Sequence, residues 1–182
     1  MTSRQAYAAS FVHNNPTTWS DPSGLKSGAL SGGYSAGVCG NIQGGGGGFA
    51  TVSLCLTKDD TGRRAMVLTY SSAPGVMLGW GISSTSGAFA ANGRISEILG
   101  PFFVRGVSGG PPPYTGGVDV ASAGDVLFAA VSGGLSYGVP LEFHGGPTNT
   151  VVVLEDPRYL DDPTLDPIWT FIDLILAVQG FP

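Results

Sequence analysis

The sequence of this 182-residue chain contains few combinations of residues that could carry out acid–base or nucleophilic chemistry. Its two histidines are His13 and His144, and the carboxylate nearest to His144 in sequence is Glu142, on the same strand face. Asp119 and Asp125 flank a short strand that could approach Glu142. A histidine beside a carboxylate can transfer protons, so His144, Glu142 and Asp125 are our candidate catalytic residues. The alternative is a lone, exposed histidine at a strand end, which is the commoner situation.

Other motifs give weaker indications of chemistry. Gly44–Gly48 lacks the Lys-Ser/Thr pair of a phosphate-binding loop and precedes a strand, so we interpret it as a flexible loop. The segment 134–138 has Gly-x-Ser-x-Gly spacing, but Ser136 continues a strand, whereas a nucleophile elbow requires a strand-to-helix turn. No Cys/His spacing indicates a metal site. We therefore predict no metal and no cofactor, and the sequence leaves open whether the chain is an enzyme.

The composition excludes one class of partner. The formal net charge is −5, and the eight Lys and Arg residues are scattered along the chain. Binding to nucleic acid requires clustered cations that neutralise phosphates, so we predict no nucleic-acid partner. The N-terminus has no apolar core of signal-peptide length, and no apolar run reaches the roughly 18 residues of a membrane-spanning helix.

Residues 26–155 alternate in the manner of β-strands. Bulky apolar residues occupy every second position in segments 52–56, 76–82 and 135–143. Lys58–Gly62 is typical of a hairpin turn, and residues 48–84 are predicted to form a three-strand antiparallel meander. We predict an all-β domain, either an antiparallel, glycine-rich barrel or a curved sandwich. Cys39 and Cys55 are either two small buried residues or a disulfide between adjacent strands.

The two faces of these strands are unusual. One carries bulky apolar residues, and the other carries Gly, Ser, Thr and Ala, whereas a soluble sheet usually places charged residues on its outer face. A small-residue face suits a narrow barrel interior or close packing of sheets. With the bulky face outward, the same pattern is that of a barrel in contact with lipid. The periodicity does not decide which face is buried.

Residues 156–182 form a third segment. Asp-Pro pairs mark an acidic linker, and Pro167–Val178 is predicted to form a short apolar helix with Asp166 as its N-cap. A helix this apolar must be covered by the barrel, by a partner or by a membrane surface.

Residues 7–25 resemble the last line of the core of RHS-repeat proteins. The matching residues are Tyr7, Val12, Asn14, Asn15, Pro16, Trp19, Asp21, Pro22, Gly24 and Leu25. The resemblance implies a preceding shell of β-repeats and a processing boundary formed by Asp21, Gly24 and Leu25. The partner aspartate of the family lies upstream and is absent from this sequence, so Asp21 alone is not expected to cleave the chain.

The resemblance also implies a function. The segment after this motif is variable in the family and is often a toxin, accompanied by an immunity protein. We therefore expect an effector domain of bacterial competition, secreted or displayed on the cell surface by a larger parent protein. The lack of a catalytic set favours activity at a membrane. The alternatives are a non-toxic binding or structural domain and an enzyme with its site near His144.

Overall fold

We describe the protein from a computed structural model. The structure describes residues 32–71, 75–138 and 141–179. The RHS-like segment, with His13 and the boundary residues Asp21, Gly24 and Leu25, lies outside these ranges.

The described chain consists of seven strands followed by short helical elements. The strands are β1 (Ser35–Asp59), β2 (Arg64–Ser71), β3 (Gly75–Ala91), β4 (Gly100–Gly109), β5 (Tyr114–Ala123), β6 (Val126–Gly138) and β7 (Leu141–Leu154). They are followed by helix α1 (Pro157–Leu160), a 3-10 turn (Pro163–Leu165) and helix α2 (Asp166–Gln179). The side chains of Asp156 and Asp162 accept hydrogen bonds from backbone N–H groups at the starts of α1 and the 3-10 turn.

The strands form one antiparallel sheet that closes into a ring. Its order is β1-β2-β7-β3-β6-β5-β4, and additional pairings join β1 to β3 and β7 to β4. Following the pairings, the ring runs β1–β2–β7–β4–β5–β6–β3 and returns to β1. The predicted fold class, an all-β antiparallel barrel with a short C-terminal helix, is confirmed.

Strand β1 bends back on itself at its glycine run. The two halves lie side by side: Thr51 Oγ1 donates a hydrogen bond to the Ile42 carbonyl, and a disulfide joins Cys39 to Cys55. Gly47 lies at the bend with a φ of 85°, a conformation that residues with a Cβ rarely adopt. The expectation that Gly44–Gly48 is a loop is wrong, because these residues continue β1 and pair with β3.

The predicted meander over residues 48–84 is only partly correct. The turn after Asp59 joins β1 to β2, which pair over Val52–Lys58 and Arg64–Tyr70. Strand β3 does not pair with β2, however: it pairs with the first half of β1, with β6 and, over Val76–Leu78, with β7. The bend in β1 causes this difference, since its two halves separate β2 from β3.

An apolar cluster fills one end of the ring. It includes Phe89, Ile95, Ile98 and Phe102, and both isoleucines are fully buried. These isoleucines belong to the irregular segment 92–99 between β3 and β4, which therefore closes the interior at this end.

Helix α2 packs on the outside of the ring. Trp169 and Ile172 are buried against Ala36 of β1 and Leu160 of α1, and Trp169 Nε1 donates a hydrogen bond to the Leu160 carbonyl. The barrel therefore covers one face of the predicted apolar helix, which extends slightly beyond Pro167–Val178. Phe171, Leu174 and Val178 remain exposed on the other face.

Removing the disulfide should destabilise the fold. The bridge spans 16 residues, and closing a loop of this length restricts the unfolded chain by about 3 kcal/mol. We expect the double variant Cys39→Ala/Cys55→Ala to lose about this much free energy of unfolding in denaturant titrations. A reductant should lower the stability of the natural chain to a similar level and leave the variant unchanged. If the variant is as stable as the natural chain measured without reductant, the disulfide does not stabilise the fold.

Candidate functional site

The closed sheet places its small and polar side chains inside and its bulky apolar side chains outside. Strand β6 shows the pattern clearly: Val131, Leu135 and Tyr137 are more than half exposed, whereas Ala130 and Phe128 pack against the interior cluster. The structure thus shows which strand face is buried, which the alternation of the sequence left open. The bulky face is the outer one.

The outward apolar residues belong to six of the seven strands. Exposed members are Ile42, Val52, Leu54, Val76, Leu78, Trp80, Ile82, Phe103, Tyr114, Val118, Val120, Leu127, Val131, Leu135, Tyr137, Leu141, Phe143 and Val153. Many are direct neighbours across strands, as in the pairs Val118–Val131 and Leu78–Phe143. We call these residues together the outer wall. Monomeric soluble proteins rarely expose apolar patches of more than a few hundred Å².

Charged residues are concentrated at one end of the barrel. Among the described residues, all but Arg105, Asp119 and Glu142 lie on the turn 58–64, the segments 92–99 and 124–126, or the C-terminal segment 155–173. We call this the charged end. The opposite end consists of the bend at Gly45–Gly48, the bend at Gly79–Gly81, the Gly109–Tyr114 connection and the chain beside Gly138. We call this second end the glycine end. It carries no charged residue in the segments that the structure describes.

Ion pairs hold the charged end together. Arg94 binds Asp60 through two nitrogens, Arg64 binds Asp161, and Lys58 binds Asp173 of α2. The Arg94 guanidinium lowers the pKa of Asp60 below its usual value. These pairs are largely exposed, and exposed pairs contribute little to stability. Their main consequence is that the charged end is strongly hydrophilic.

Arg105 is the exception on the outer wall. Its guanidinium lies over the Phe103 ring at 5.3 Å from the centroid, an arrangement that attracts the cation to the ring face. A long side chain of this type can carry its charge towards water while its stem covers apolar surface.

The interior contains a histidine in hydrogen-bond contact with a carboxylate. His144 Nε2 lies 2.7 Å from Asp119 Oδ1, and its ring stacks on Phe49 with a centroid separation of 4.6 Å. The His144 side chain is 1% exposed, and its Nδ1 has no hydrogen-bond partner among the described residues. The expectation of a lone, exposed histidine is therefore wrong: the inward face of β7 buries it.

Glu142 lies on the same inward face and forms a second polar contact. It accepts hydrogen bonds from Ser108 Oγ at 2.6 Å and from Gln43 Nε2 at 3.3 Å. Gln43 is on β1, whereas Ser108 and Glu142 are on β4 and β7, so one glutamine side chain reaches from one side of the ring to the other. The interior is correspondingly narrow.

The structure only partly assembles the candidate catalytic residues. His144 and Glu142 both point inward, but Asp125 lies in the β5–β6 turn at the charged end and contacts Asn92 through its backbone carbonyl. Among the described residues no serine or threonine hydroxyl contacts His144, and no group of His, Cys, Asp or Glu is placed to hold a metal ion. The geometry therefore gives no nucleophile activated by this histidine.

Sequence reasoning did not identify the residues that actually accompany His144 and Glu142. The sequence suggests Asp119 as a neighbour of Glu142 and not of His144, and it indicates neither Ser108 nor Gln43. A usable signal exists for Asp119, because it lies between Val118 and Val120 and so shares the small-residue face. Once that face is known to be internal, a charged residue on it is a candidate interior site.

The chain matches no protein-family model, and comparisons with curated proteins and with solved structures find no match either. None of the helices in the described ranges has the length and apolar character needed to span a membrane.

The interior pair depends on the absence of a side chain at Gly106. A Cβ built at this position would meet Asp119 Oδ1 and would lie 2.5 Å from His144 Nε2. We expect Gly106→Ala to reduce the free energy of unfolding by about 1–3 kcal/mol, as overpacking does. Gly40→Ala is the matched control, because no atom lies within 4 Å of its added Cβ. Equal stability of the two variants in denaturant titrations would refute the close fit.

Proposed function

We propose that this chain carries a membrane-inserting effector domain, whose outer wall contacts lipid and whose parent is a larger RHS-type protein. The observation that carries the membrane part is the inverted arrangement of side chains: strand residues are apolar on the outside, while Asp119, Glu142 and His144 face inward. A barrel in water requires the opposite arrangement, whereas a barrel in lipid requires this one.

The height of the outer wall supports this proposal. On β6 the outward positions from Leu127 to Tyr137 are all uncharged. The ten steps between these two residues extend about 33 Å at about 3.3 Å per residue. At the tilt of about 40° that membrane barrels adopt, they would cover about 25 Å, which matches the apolar band of such barrels.

The two ends of the barrel suit opposite surroundings. At the glycine end Tyr114 and Tyr137 are exposed, and Trp80 packs edge-to-face on Tyr137 at 5.8 Å between centroids. Aromatic residues of this kind favour the boundary between lipid and water. We therefore propose that the glycine end enters the bilayer first, while the charged end stays in water. Because the apolar cluster closes the interior at the charged end, we propose insertion and not an open channel.

The effector part of the proposal is supported by the RHS-like segment at residues 7–25. Delivery by a secreted or surface-displayed parent agrees with the Cys39–Cys55 disulfide, since disulfides persist in oxidising compartments. The expected partners are the RHS core shell before delivery, a target membrane afterwards, and an immunity protein in the producing cell. A protein surface that covers the outer wall is the competing interpretation, and the vesicle experiment separates the two.

Lysine substitutions at two heights of the wall test lipid contact. A lysine near the middle of a bilayer costs about 2–4 kcal/mol and one near the interface about 0–1 kcal/mol. We expect Val131→Lys, in the middle of β6, to weaken partition into lipid vesicles about 30-fold or more. Leu127→Lys, near the charged end, should weaken it less than about fivefold. Partition is measured by flotation of the full chain with vesicles.

Tryptophan fluorescence provides a second readout of the same experiment. Trp80 is 53% exposed at the glycine end, whereas Trp169 of α2 is buried against β1 and α1. In a Trp19→Phe background, brominated lipids should quench the fluorescence, and the further change Trp80→Phe should remove most of this effect. If the chain does not float with vesicles, or if the two lysine variants behave alike, lipid contact through the outer wall is refuted.

Expression in bacterial cells separates the effector from the other classes. We expect growth arrest that Val131→Lys relieves and His144→Ala leaves in place. Relief by His144→Ala alone would instead indicate an enzyme that uses the interior histidine. Absence of arrest with the natural chain would favour a binding or structural domain.

A further inference from the structure

A cavity lies inside the barrel, between the apolar cluster at the charged end and the polar contacts of His144 and Glu142. Its volume is about 110 Å³. For comparison, a dry protein cavity of about 150 Å³ holds a benzene molecule. A ligand of about five non-hydrogen atoms is therefore the size to consider.

One side of the cavity is aromatic. Phe89, Phe102 and Phe128 line it, and their rings pack on one another with centroid separations of 5.4 Å for Phe89–Phe128 and 4.8 Å for Phe102–Phe128. Contacts of this kind fix the ring positions and present a preformed apolar surface. This side suits a short alkyl group.

The polar side of the cavity is rich in hydrogen-bond acceptors. Asn41 Nδ2 donates to Thr85, Gln43 Nε2 donates to Glu142 and Ser108, and Asp119 Oδ1 contacts His144. These contacts leave three oxygens without a bond to any described residue: Asn41 Oδ1, Gln43 Oε1 and Asp119 Oδ2. All three residues line the cavity. Each of these oxygens can therefore accept a hydrogen bond from a donor group of a ligand.

The charge of the residues that line the cavity indicates which charge the ligand should carry. Asp119 is the only charged residue that lines the cavity within the described ranges, and no lysine or arginine does so. An anion would meet this carboxylate without a compensating cation, so burying it would be costly. A cation is favoured instead, because hydrogen bonds to an ionised group are stronger than those between neutral groups.

We propose that this cavity binds a small primary amine in its ammonium form. The ammonium group has three N–H donors, which match the three oxygens of Asn41, Gln43 and Asp119. The short alkyl chain packs on the three phenylalanine rings, where the ring faces also attract the adjacent cation. The three oxygens and the three rings lie inside the barrel, so the proposal does not depend on contact with lipid.

Three branched four-carbon ligands of different charge test the proposal on the full chain without lipid. Isobutylammonium is the probe, isobutanol is its neutral match and isobutyrate its anionic match. We expect isobutylammonium to raise the unfolding temperature and to give a saturable calorimetric signal. Isobutanol should bind at least about tenfold more weakly, and isobutyrate should not bind detectably. No saturable binding of isobutylammonium, or equal binding of isobutanol, would overturn the proposal.

Two carboxyl-to-amide variants locate the binding site. Asp119→Asn should weaken isobutylammonium about tenfold or more, because it removes the charge that faces the ligand. Asp125→Asn is the matched control, since Asp125 lies in a turn at the charged end, and should leave the affinity unchanged. Equal weakening in both variants would indicate association with the surface and would refute the site. If Asp119→Asn does not fold, Asn41→Leu removes a different acceptor. An unchanged affinity for isobutylammonium in that variant would also refute the site.

Discussion

The narrow interior of the closed sheet is the constraint on which the rest of the structure depends. Gln43 alone reaches from β1 to Ser108 and Glu142 on the strands across the ring. Only small side chains fit at most inward positions of such a barrel, and at Gly106 even a methyl group would meet the Asp119–His144 pair. The bulky members of each alternating strand are therefore forced outward.

This constraint separates the apolar surface from the polar groups in a way that differs from ordinary soluble domains. Many of the apolar residues that would normally form a core instead form the outer wall, while the end closed by Ile95 and Ile98 has a conventional apolar core. The inward carboxylates and His144 are consequently held in a small space inside the ring. The outside of the barrel thus suits an apolar environment, and its inside suits a small polar molecule.

The helix and the ion pairs complete this arrangement at the charged end. Helix α2 covers Ala36 on the outside of β1, so the wall is shielded there by a segment of the chain itself. Lys58 and Arg64 connect the strands to the C-terminal segment through exposed ion pairs. The charged end is therefore both the most conventionally packed and the most hydrophilic part of the molecule, while the glycine end has neither property.

The sequence by itself determined the strand class, the hairpin after Asp59, the C-terminal helix and the division of each strand into a bulky and a small face. It could not determine which face is inside, because period-two alternation is the same for both choices and only closure of the ring decides. Nor could it predict that β1 folds on itself, which places Cys39 beside Cys55 and separates β2 from β3. His144 and Glu142 were found from the sequence, but their partners Asp119, Ser108 and Gln43 come from distant strands. Such partners depend on strand register, which the tertiary structure alone sets.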